Sequence, residues 1–133
     1  MIRRTEITVK ANVSPTESVE KVEKAIRNVL GDIELKRENK GDTARVRIEG
    51  HLEGVESLHR LRQLLARYLI RDAARSYLTR RAREHSLVFG LNRQAAFAGR
   101  VSFAYWGESP LGPIEVTIKG NLEKVISYLC EKT

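Results

Sequence analysis

An α+β fold in two layers, a mostly antiparallel sheet of about six strands with helices packed on one face, follows from three features of the chain. Strand-length stretches alternate apolar and polar residues, which buries one sheet face and leaves the other wet. Longer stretches carry a single apolar stripe at helical spacing. The order is strand, helix, two strands, long helix, three strands with a short helical insert, then helix. No low-complexity linker or repeat divides these elements, so residues 1–133 read as one domain, long enough to bury a real core.

Each element has a local cause. In "TEITVKANV", residues 5–13, Ile7, Val9, Ala11 and Val13 share one face while Glu6, Thr8 and Lys10 share the other. "SPTE" then sets Ser14 as N-cap, Pro15 at the first helical position and Glu17 three residues after the cap, which predicts a helix starting there. Its stripe is Val19, Val22, Ile26, Val29 and Leu30, and Gly31 ends it. Two strands follow, one around Ile33 and Leu35 and one through Ala44, Val46 and Ile48, with "ENKGD" as hairpin turn.

From Gly54 a helical pattern runs to Arg83 on the stripe Leu58, Leu61, Leu64, Leu65, Tyr68 and Leu69. Thirty helical residues would reach about 45 Å, against roughly 30 Å for a domain of this size. The expectation is a break near Thr79 or an overhanging basic end. "SLVFGL" reads as a strand, and "NRQAAFA" as a short helix capped by Asn92, with Gly90 and Gly99 at bends. "VSFAYW" alternates Val101, Phe103 and Tyr105 against Ser102, Ala104 and Trp106, and "SPLG" supplies a type I turn. Ile114, Val116 and Ile118 form the last strand, and Asn121 caps a helix bearing Leu122, Val125, Ile126 and Leu129.

Three segments taken together, "IRDAARSYL", "LNRQAAFAGRVSF" and "SPLGPIEVTI", resemble a family of small, functionally uncharacterised archaeal proteins. The likeness covers most of the chain and is strongest over residues 67–119. That family is known for structural similarity to the RNA-binding domain of the large-subunit ribosomal protein that contacts 5S RNA. The resemblance implies that fold and, by analogy only, RNA as the partner. Arg93 stands where lysine is expected in the family, a change that keeps the charge. The family supplies no catalytic residues to carry over.

Composition narrows the function further. With 41% hydrophobic and 31% charged residues the chain is globular rather than disordered. No apolar run nears the ~20 residues of a membrane span, and "MIRRTEITVK" lacks the apolar core of a secretory signal, so a cytoplasmic location is expected. Cys130 is alone and, near the end of an amphipathic helix, is expected to be buried. His51, His59 and His85 show no metal-type spacing, and Walker, nucleophile-elbow and dinucleotide motifs are missing. No enzyme activity, cofactor or metal is expected.

The net charge of +7 is confined. Residues 60–83 hold eight arginines and one acid, Asp72, so the remainder of the 24 bases and 17 acids is 16 of each. A confined field attracts polyanions. On one continuous helix Arg60, Arg67, Arg71 and Arg75 would lie within about 80° of one another, and guanidinium forks suit phosphate. Arg80, Arg81 and Arg83 extend the candidate site, and Arg93 and Gln94 add a helix N-terminus. Trp106 is a candidate for base stacking beside basic residues, or for a subunit contact. Asp72 is expected in a local salt bridge. RNA binding through phosphates is the leading expectation, and a homodimeric protein-interaction module is the alternative.

Overall fold

The structure is a computed structural model and describes residues 4–39, 45–104 and 112–131. Its strands are β1 (Glu6–Val13), β2 (Leu35–Asn39), β3 (Val46–Glu53), β4 (Ala82–Arg83), β5 (Ser86–Leu91), β6 (Phe103–Ala104) and β7 (Ile114–Lys119). The α-helices are α1 (Val19–Leu30), α2 (His59–Arg67), α3 (Arg71–Arg81), α4 (Arg93–Phe97) and α5 (Leu122–Cys130). All strand pairs are antiparallel, in the order β2-β3-β1-β7-β5-β4, with β6 also on β5. This is the expected α+β architecture, with seven strands among the described residues. The additional one, β4, is two residues long and is defined by pairing rather than by any pattern of its own. None of the helices is long and apolar enough to cross a membrane, among the described residues.

The register explains the alternation. Leu35, Gly50, Val9, Val116 and Phe89 face one another in a row across five strands. Val9, Val116 and Phe89 are fully buried in the core that also takes Ile26, Leu61, Leu65, Leu78 and Leu129 from the helices. Each such side chain contributes about 1.5–3 kcal/mol of burial, and a one-residue slip would turn the whole row to water. Gly90 lies within β5 rather than at a bend: a Cβ there would meet Pro113 Cγ at 2.6 Å. Gly99 does close a helix, with φ of 80° and paired bonds from Gly99 N–H to Ala96 and Arg100 N–H to Ala95.

Several boundaries differ from expectation, and one of them is that β2 begins after Ile33 and runs through Glu38 and Asn39, residues expected in the hairpin turn. Only half of the Ser14–Glu17 box forms: Ser14 N–H donates to Glu17 Oε1 at 3.1 Å, but Glu17 N–H donates to the Ser14 carbonyl at 3.1 Å rather than to its side chain, which closes only a turn. The helix starts at Val19 because Ser18, in an extended conformation, accepts from Lys21 N–H and is the working cap.

The long helix ends at Arg67, well before Thr79. Leu69 N–H bonds to Ala66 and Ile70 N–H to Leu65, a Schellman closure with Leu69 at φ 57° in the place glycine usually takes. A new helix, α3, begins two residues later. Leu69 itself is 84% exposed, while Leu65 beneath the bend is buried. Holding a leucine in left-handed geometry costs about 1–2 kcal/mol, which the packing on either side must offset.

Candidate nucleic-acid interface

The bend divides the expected arginine row. Arg60 and Arg67 are on α2 and Arg71 and Arg75 on α3, so four side chains expected along one rod occupy two short helices, both packed against α5. Arg60, Arg67 and Arg75 are exposed and Arg71 is half-buried. Arg60 donates through Nε to the Asn28 carbonyl at 3.1 Å, and the Arg67 guanidinium lies 5.9 Å from the Tyr68 ring. Asp72 is exposed and, among the described residues, makes no ion pair; the expected local salt bridge does not form.

At the C-terminal end of α3 the arginines converge. Arg80 Nε donates to the Ser76 carbonyl at 3.3 Å, and Arg83 Nη1 donates to the Arg80 and Ala82 carbonyls at 3.0 Å. Arg81 is more deeply engaged. Its Nε donates to the Val88 carbonyl at 2.7 Å and its guanidinium covers the Tyr77 ring at 5.6 Å. Tyr77 in turn stacks on Phe103 at 4.5 Å and donates to the Ala104 carbonyl. A cavity of about 500 Å³ opens here, its described walls being Tyr77, Arg80, Arg81, Arg83, Ser86 and Val88. Sequence reasoning missed Tyr77, Ser86 and Val88. They reach the site only because the helix stops at Arg81 and the chain doubles back through a two-residue turn between Arg83 and Ser86.

Arg93 is placed otherwise than expected. Its Nη2 donates to both carboxylate oxygens of Glu17 at 3.0 Å, its side chain is 13% exposed, and Nη1 is buried without a partner among the described residues. A guanidinium already gripping a carboxylate ties the turn before α1 to α4; it is not an open phosphate contact. Gln94 is exposed on the first turn of α4, a helix of five residues, with Ala95 N–H taken by the Asn92 side chain. Trp106 lies outside the described residues, as do Tyr105, residues 40–44 of the first hairpin turn and residues 109–111 of the "SPLG" turn.

The remaining titratable groups of note are structural. Arg37, on the helix-facing side of edge strand β2, grips Glu23 of α1 at 2.8 and 3.1 Å and holds its carboxyl below the usual glutamate range. Cys130 is buried as expected, and burial pushes its thiol above the ordinary range, partly countered by Arg75. Among the described residues no group of three or more His, Cys, Asp or Glu converges as metal ligands would.

The molecule is thus an α+β domain with a basic helical flank, and residues 6–120 match a family model described as RNA binding. The chain belongs to the archaeal UPF0201 family. It is 44% identical to the UPF0201 protein of Methanopyrus kandleri, over 100% of this chain and 87% of that one. It is 40% identical to the one of Sulfurisphaera tokodaii, over 97% and 89%. The crystal structure of the UPF0201 protein from Methanococcus jannaschii superposes with a TM-score of 0.82 at 33% identity, covering 95% of this chain and 99% of that one.

Proposed function

We propose that this protein is a non-catalytic RNA-binding domain in which the arginines of α2, α3 and β4 neutralise phosphates along the strand or duplex they meet. The observation that carries the reading is that Arg60, Arg67, Arg71, Arg75, Arg80 and Arg83 make no ion pair among the described residues, so their charge is retained. The match to a family model described as RNA binding supports the choice of RNA among polyanions. A likeness to the RNA-binding domain of the ribosomal protein that contacts 5S RNA is part of the same reading. Recognition rests on backbone shape rather than base sequence, because guanidinium–phosphate contacts carry no sequence information. The reading assigns no catalytic step and no cofactor.

Titration of RNA against increasing salt tests it. With about six phosphates neutralised, log affinity should fall against log salt with a slope of roughly −4 to −5. Binding indifferent to salt would remove the proposal. A second reading, self-association, is favoured by one observation: Tyr68 and Leu69 present apolar surface at the α2–α3 bend. Light scattering on the same samples separates the two.

A further inference from the structure

The cavity at the end of α3 supports a narrower reading, which rests on RNA being the partner. We propose that it is a subsite for a terminal phosphomonoester, the phosphorylated end of an RNA strand, rather than for an internal phosphodiester. Its size is the first argument. At about 500 Å³ the half-open recess has room for a phosphate group and part of the nucleotide that carries it.

Its lining is the second argument. The described walls carry three guanidinium groups and a serine hydroxyl and no acid. The adjoining cavity, about 1290 Å³, shares Arg83 and Ser86 but sets Glu6, Glu53, Glu84 and Glu123 against Arg4, Arg83 and Lys119, so its charge is nearly balanced. Arg83 and Ser86 thus border both a recess whose described charged walls are all basic and one of mixed charge. Glu84, at φ 46° in the turn, lines only the second of them.

Preorganisation is the third. The C-terminal end of a helix exposes carbonyls and by itself disfavours an anion. Here the Arg80 and Ala82 carbonyls accept from Arg83 Nη1, which offsets part of that effect, and Arg80 Nε rests on the Ser76 carbonyl within the helix, so both guanidinium groups have a seat before a ligand arrives. Among the described residues no partner takes the two terminal nitrogens of Arg80 or Nε and Nη2 of Arg83, which leaves them for a ligand. Donors held in place before binding lose less freedom on binding. A phosphomonoester carries about −1.5 to −2 at neutral pH and a diester only about −1, so a cluster of this charge favours the monoester.

The same chemistry could come from an RNA end or from a free mononucleotide, and the experiment separates these. One single-stranded RNA is prepared with a 5′-phosphate, with a 3′-phosphate, and with hydroxyls at both ends, and bound to wild type and to R80A/R83A. At least one phosphorylated form should bind wild type about tenfold tighter than the hydroxyl form, as charge-assisted contacts imply. The double variant, and R80Q/R83Q should the first unfold, should lose that preference while still binding RNA. Equal binding of all three RNAs by wild type would overturn the end site and leave the proposed RNA binding standing. If no RNA binds, the broader proposal fails, and calorimetry with a nucleoside 5′-monophosphate decides the cavity. Binding lost in R80A/R83A would assign it to the free nucleotide, and no binding would overturn it too.

Discussion

Arg37 and Arg93, which reach to α1 and the turn before it, and Arg80 and Arg83, at the end of α3 and in β4, employ the same guanidinium group on different partners. The first two grip carboxylates, Glu23 and Glu17, and the pairs are electrically neutral. The second two grip backbone carbonyls of their own turn, which satisfies donors and fixes geometry but removes no charge. Arg60 follows the second pattern with Asn28, and Arg67 lies near an aromatic ring. A hydrogen-bond count would treat the two regions alike. The difference teaches that the excess of +7 projects from where arginines are held without acids, not from where arginines merely occur.

The strongest way to break the comparison is to remove the charge that is retained. Changing Arg67, Arg71 and Arg75 together to Ala should lower RNA affinity about a hundredfold at low salt and make the salt slope shallower by about 2–3. Thermal melting should barely move; collapse of the fold would show those side chains to be structural and the contrast false. Next in size is Glu17→Ala, which leaves the largely buried Arg93 guanidinium without its counter-charge. A loss of about 2–3 kcal/mol in urea denaturation is expected, below the range for fully buried pairs because Glu17 is partly exposed. RNA affinity should not fall in that variant. Unchanged stability would mean the pair contributes no more than a surface bridge.

The smallest effect sharpens the comparison through pH. Glu23 has a lowered pKa in the fold because Arg37 hydrogen-bonds its carboxylate, so the unfolded chain takes up the proton first as pH falls. The stabilisation is complete above the ordinary glutamate range and disappears as pH falls through the lowered folded value. Urea midpoints of wild type and Glu23→Gln should therefore differ near neutrality and draw together in acid. A gap of constant size across that window would contradict the assignment.

Much of the frame was legible because its causes are local. Alternation in β1 and β7, the stripes of α1 and α5, and the caps at Asn92 and Asn121 are written within a few residues of where they act. The break at Leu69 was not, since no glycine or proline marks it and its geometry is sustained by packing around Leu65 and α5. Strand β4 exists only through its partner. For the site, the arginine excess was plain but the assignment of each arginine was not. Glu17 meets Arg93 across 76 positions of chain and Glu23 meets Arg37 across 14, so only the fold decides which charges cancel. The cavity walls were hidden for the same reason, being assembled from a helix end and the strand that doubles back on it.

The outer margins of the sheet have a consequence of their own. On one side, β5 is covered at its two ends by β4 and β6, and Arg81 occupies the Val88 carbonyl in the gap between them. On the other, β2 presents exposed Lys36, Arg37, Glu38 and Asn39, with one cation turned inward onto α1. Charged or occupied margins resist templated growth by a second polypeptide. Both margins therefore oppose the edge-to-edge pairing through which two copies of this molecule could join into a shared ribbon.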